Sequence, residues 1–130
     1  MKYVILIHSN PEPWGHPTSH YTAAGRAIPA ERKAAMDREF DELLNEISRS
    51  GELVHAEALG DPAASTIFGR GSDPTVATEG PYAETKEHLA GFFLLDCATR
   101  ERAEAIAVQF AGAGDVIELR PVMSGDGDDQ

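Results

Sequence analysis

The sequence predicts an α+β fold, a ferredoxin-like βαββαβ unit with an inserted β-hairpin. Three observations carry this. Four short runs rich in β-branched, aliphatic or aromatic residues have strand character (3–7, 53–59, 92–97 and 116–122). Two apolar stripes at helical spacing separate the first run from the second and the third from the fourth. A Gly/Pro-punctuated stretch between the second and third runs has hairpin chemistry. In chain order this is the split βαβ arrangement.

Each element can be justified in turn. Tyr3 to Ile7 is a first strand; the short apolar run with one lysine lacks the length and cleavage site of a signal peptide. Residues 9–29 contain Pro11, Pro13, Gly15, Pro17, Gly25 and Pro29, so they read as a long loop, either a lid or a disordered segment. Pro29 suits a helix start. Met36, Phe40, Leu43, Leu44 and Ile47 then form one apolar stripe, with Asp37, Arg38, Asp41, Glu42 and Glu46 on the solvated side. Gly51 is placed to end that helix in a left-handed conformation.

Leu53 to Leu59 reads as the second strand. Segments 65–68 and 75–78 flank Gly69-Arg70-Gly71-Ser72-Asp73-Pro74 and predict the inserted hairpin. Glu79-Gly80-Pro81 is a turn. Phe92 to Cys97 is the third main strand, Thr99 an N-cap, and Ala103, Ile106, Ala107 and Phe110 the second helical stripe. Val116 to Val122 closes the sheet. The expected organisation is one domain over 1–123 and a flexible acidic tail over 124–130.

Composition narrows the functional classes. The net charge is −11; Asp126, Asp128 and Asp129 supply −3 of it, leaving −8 on the rest. Phosphate backbones need clustered Lys and Arg, so nucleic acid is not an expected partner. No apolar run approaches the roughly 20 residues of a membrane span. The single cysteine, Cys97, cannot form an internal disulfide, which points to a reducing, cytoplasmic compartment. No cofactor motif is present: Gly69-Arg70-Gly71 lacks the lysine and the strand–helix context of a phosphate loop. His16 and His20 have helical spacing but lie in a Gly/Pro-rich loop, so no metal site is expected. Cys97 falls on the predicted helix-covered face, as a small buried hydrophobe.

Strand alternation sorts the remaining polar residues. If Ile5, Ile7, Val54, Ala56, Ile117 and Leu119 face the helices, the open face carries His8, His55, Glu57, Glu118 and Arg120 among Leu6, Phe92 and Leu94. Two helices cover one face of four strands, and a bare apolar face associates. A homodimer with its sheets face to face is therefore expected. Apolar walls with a few polar groups also suit a small-molecule pocket. There His8, His55 and Glu57 are the catalytic candidates. His8 or His55 would be the acid–base, Glu57 and Glu118 orienting carboxylates, and Arg120 an anion clamp. Phe92 would form a wall and Lys86 the border. Alternatively, Glu118 and Arg120 form a simple ion pair at the dimer seam and His55 sits at an exposed strand end.

The stretch Glu79-Gly80-Pro81-Tyr82-Ala83-Glu84-Thr85-Lys86-Glu87 resembles the Asp-Gly-Pro-Phe-Ala-Glu-Thr-Lys-Glu signature of the DGPF branch of YCII-related proteins. His88-Leu89-Ala90-Gly91-Phe92-Phe93 and Ile117-Glu118-Leu119-Arg120-Pro121-Val122 continue the likeness, and Leu53 to Leu59 resembles the second strand of the family. Glu79 and Tyr82 depart from the signature, and the 9–29 loop is longer than usual. The resemblance implies a ferredoxin-like fold, a dimeric α+β barrel, and a mostly uncharacterised function. It also implies a regulatory alternative, association with an extracytoplasmic-function sigma factor. Some relatives outside the branch use a histidine on the first helix and an aspartate after the second. Here no histidine occurs from Glu31 to Arg49, and Ala111-Gly112-Ala113-Gly114 stands where the aspartate would be. That dyad is not carried over.

Overall fold

A computed structural model describes residues 1–83 and 85–123 of the chain; Glu84 of the signature stretch and the acidic tail lie outside the described residues. Six strands and three helices follow in the order β1 (Lys2–Ser9), α1 (Ala23–Arg26), α2 (Ala30–Ser50), β2 (Leu53–Ala58), β3 (Thr66–Phe68), β4 (Ala77–Glu79), β5 (His88–Asp96), α3 (Arg100–Val108) and β6 (Val116–Pro121). The main sheet is antiparallel with order β2-β5-β1-β6, and β3 and β4 pair separately. This is the ferredoxin-like topology with the expected hairpin insertion. Among the described residues no helix is long and apolar enough to cross a membrane.

The apolar stripes explain the packing. Leu43 and Ile47 of α2 and Ala103, Ile106 and Phe110, on and just beyond α3, are buried against Tyr3, Ile5, Leu95 and Cys97 of the sheet. Phe110 stands edge-on between Phe40 and Phe93, with ring centroids 5.0 and 4.6 Å away. Cys97 is 1% exposed, and burial pushes its thiol pKa up, so it behaves as a core side chain and not a nucleophile. Thr99 caps α3, its hydroxyl accepting the Arg102 N–H at 3.1 Å. Gly51 ends α2 with φ +84°.

Two details differ from the simple strand alternation. The β2–β5 register shifts between Leu53 and His55, so one extra residue sits in β2 there. The bulge reverses parity: Leu53 packs on the core, while Val54, expected beneath the helices, is 48% exposed. A second shift in the β1–β5 pairing, between Ile7 and His8, leaves Ala90 without a paired residue on β1.

The 9–29 segment is built, not loose. A 3-10 turn at Thr18–Tyr21 runs into the four-residue α1. Its side chains tie it to distant strand ends. Trp14 Nε1 donates to the Leu59 carbonyl at 2.9 Å, Thr22 Oγ1 to Ala113 O at 2.7 Å, and Thr18 Oγ1 to Asp115 Oδ2 at 3.0 Å. Gly114 has φ +81°, and a Cβ there would meet the Thr22 side chain at 2.6 Å, so only glycine permits this seam.

Arg102 on α3 grips Glu52 with two hydrogen bonds (2.8 and 2.9 Å) and Glu46 with a third at 2.8 Å. The guanidinium hydrogen bond lowers the Glu52 carboxyl below its ordinary 4.5. Because the folded pKa is the lower one, this contribution is complete above about pH 4.5 and is lost as pH falls through the folded value. Arg102→Met should therefore destabilise by about 1 kcal/mol near neutral pH, after allowance for solvent screening. In urea titrations its deficit against the parent should shrink as pH falls below the ordinary 4.5; a deficit that grows in acid contradicts the assignment. Phe110→Ala should cost about 3–5 kcal/mol by the same measurement.

Candidate functional site

The register lays out the open face in rows. Across β2, β5, β1 and β6 one row reads His55, Leu94, Val4 and Arg120, and the next Glu57, Phe92, Leu6 and Glu118. Beyond them His8 lies between Leu89 and Val116. On the β6 side, His8 Nε2 is 2.9 Å from Glu118 Oε1, and Arg120 Nη2 donates to Glu118 Oε2 at 2.7 Å. The His8 hydrogen bond, and after it the Arg120 bond, lower the Glu118 pKa. On the β2 edge, His55 and Glu57 pair at 2.8 Å, and the His55 ring lies 6.0 Å from that of Phe92.

These two polar groups are three strand spacings apart, about 14 Å. Between them lies an apolar stripe of Val4, Leu6, Phe92 and Leu94. The candidates from the sequence thus form two flanks of a greasy strip and not one cluster. Lys86 is exposed before β5 and forms no ion pair among the described residues.

A concavity lies on the opposite, helix-covered face. A cavity of about 900 Å³ lies between the sheet, α2, the end of α3 and the 9–29 segment. Its floor is apolar, with Ile7, Phe93 and Phe110 meeting Met36 and Phe40. Polar groups stand on its walls. His20 Nε2 is 2.9 Å from Asp37 Oδ1, joining the 3-10 turn to α2. Asp115 Oδ1 is buried with no hydrogen-bond partner, while Oδ2 accepts from Thr18. Arg32 and Lys33 reach the lining from the first turn of α2.

Why the turn holds His20 there is plain. The Pro17 carbonyl accepts the His20 N–H at 3.1 Å, and Thr22 caps α1 by accepting the Gly25 N–H at 3.0 Å. Gly25 itself passes so close to the Ser19 carbonyl that no Cβ would fit. His16 has a different partner, the Leu59 carbonyl at 2.8 Å, so the two loop histidines do not act together. Among the described residues no three metal-ligating side chains gather.

Sequence reasoning weighed His20 only as a metal ligand and set Asp37 on the solvated side of α2, whereas the two meet on the cavity wall; it did not single out Lys33 or Asp115. One signal existed for Lys33, which extends the Met36, Phe40, Leu43 and Ile47 stripe by one turn and so lies on the core-facing side. None existed for His20 and Asp37, which come from a turn and a helix. With Nε2–H donated to Asp37, Nδ1 of the neutral ring is left as proton acceptor. An oriented imidazole beside an apolar cavity can carry a proton to or from a bound molecule.

A family model for the YCII-related domain matches residues 1–124. An uncharacterized protein of Rhizobium meliloti (strain 1021) is 30% identical over 88 residues, which are 65% of this chain and 71% of that protein. The matched span covers all six strands and all three helices just described, and the chain belongs to the YCII-related family.

Proposed function

We propose that this YCII-related protein binds a small organic molecule in the cavity beneath the 9–29 segment, with His20 and Asp37 as an acid–base pair, and does so as a homodimer. The observation that carries the reading is the 2.9 Å hydrogen bond between His20 and Asp37 on the wall of a cavity with an aromatic floor. A carboxylate that fixes the ring and selects its tautomer is what a histidine needs to serve as general base. The site moves from the open face to the covered one because the open-face polar groups are split by the apolar stripe.

That stripe supports the second half of the proposal. Val4, Leu6, Phe92 and Leu94, with the exposed Leu89 and Val116, form an apolar centre flanked by charged pairs, the usual anatomy of an interface. Two such faces against each other give the dimeric α+β barrel. Membership of the DGPF branch is part of the same reading and draws on the Glu79–Glu87 stretch. Gly80 there takes φ +99° and donates its N–H to the Ser65 carbonyl at 2.8 Å, while Arg70 lies over the Tyr82 ring at 5.2 Å. These contacts give the signature a structural job in closing the hairpin.

Two experiments test this. Methyl NMR spectra recorded with a set of small acids, amides and alcohols should show shifts at Ile7 and Met36, which line the cavity. Shifts confined to Leu6 and Leu94 would return the site to the open face. For assembly, light scattering should give twice the 14.0 kDa chain mass, and Phe92→Glu should give a folded monomer. A parent protein that is monomeric at micromolar concentration would overturn the dimer.

A further inference from the structure

Lys33 occupies an unusual place. It lies one helical turn before Met36 on the stripe that α2 turns toward the sheet, it is half-buried, and it lines the cavity. Among the described residues neither its ammonium nor the neighbouring Arg32 guanidinium has an ion pair. Cations lining a cavity without a close counter-ion are available to a bound anion.

Among the described residues no acidic residue of the lining comes within ion-pair distance of these cations. Asp37 is engaged by His20, Asp115 by Thr18, and Glu57 by His55 on the far face of the sheet. Glu39 and Asp41 are exposed. Asp115 instead marks a second requirement. Its Oδ1 is buried and unpartnered, an acceptor waiting for an N–H or O–H donor. The same cavity is lined by the edge-to-face rings of Phe40, Phe93 and Phe110, a surface suited to a flat apolar body.

We infer that the cavity takes a small flat carboxylic acid that also carries a hydroxyl or amino donor, the carboxylate on Lys33 and Arg32 and the donor on Asp115 Oδ1. This rests on the cavity being the binding site and adds its ligand class. An aromatic hydroxy acid is the simplest molecule that meets all three demands, and it places an exchangeable proton in the cavity that His20 also lines.

The test uses the full-length protein and three probes: 4-hydroxybenzoate, its neutral amide 4-hydroxybenzamide, and benzoate, which lacks the donor. Affinities come from titration calorimetry and location from the Ile7 and Met36 methyl shifts. 4-Hydroxybenzoate should bind at least about tenfold more tightly than either control, the scale of one hydrogen bond to a charged group. Lys33→Met keeps the aliphatic stem and should abolish the preference for acid over amide while leaving amide binding in place. An amide or benzoate that binds in the cavity as tightly as 4-hydroxybenzoate overturns the ligand class and spares the cavity reading. No methyl shift with any probe overturns both. Unchanged acid preference in Lys33→Met, with the fold intact by circular dichroism, also overturns the assignment.

Discussion

Nine residues of α-helix rise about 13.5 Å, whereas nine residues of strand run about 30 Å. α3 and β5 have those lengths. The short helix therefore cannot cover its share of the sheet, and one end of the covered face would stand open. The 9–29 segment closes that end, fastened through Thr18, Thr22 and Trp14. The cavity is the space that remains between a regular sheet, a long helix and this irregular roof. Its position, its aromatic floor and its polar wall all descend from that mismatch of lengths.

The two faces of the sheet solve different problems. The covered face needs shape, and it obtains it from Phe40, Phe93 and Phe110 meeting edge to face. The open face needs a boundary. His8, Glu118 and Arg120 on the β6 side and His55 with Glu57 on the other edge frame the stripe with charge. Exposed pairs of this kind contribute little stability by themselves. They bound the apolar stripe on both sides.

Much of the fold was legible because periodicity reports burial. The α2 stripe, the Thr99 cap, the Gly51 stop and the hairpin around Gly69 each have a local physical cause visible in the residues. Alternation failed at one place for a definable reason. In Leu53-Val54-His55 both parities put an apolar residue inside, and only pairing with β5 selected the bulge that buries Leu53 and exposes Val54. The candidate site was much less legible. Its histidine and aspartate lie in a turn and on a helix, where no periodicity relates them.

The sequence by itself determined the order of elements, the family, and, outside the bulge at the start of β2, which residues share a strand face, since these follow from spacing and from short motifs. Tertiary structure decided where the cavity lies and what lines it. Side chains such as His20, Asp37, Lys33 and Asp115 come to line one cavity only when a helix, a turn and a strand end are brought to one place, and that meeting depends on lengths and packing angles that no local pattern encodes.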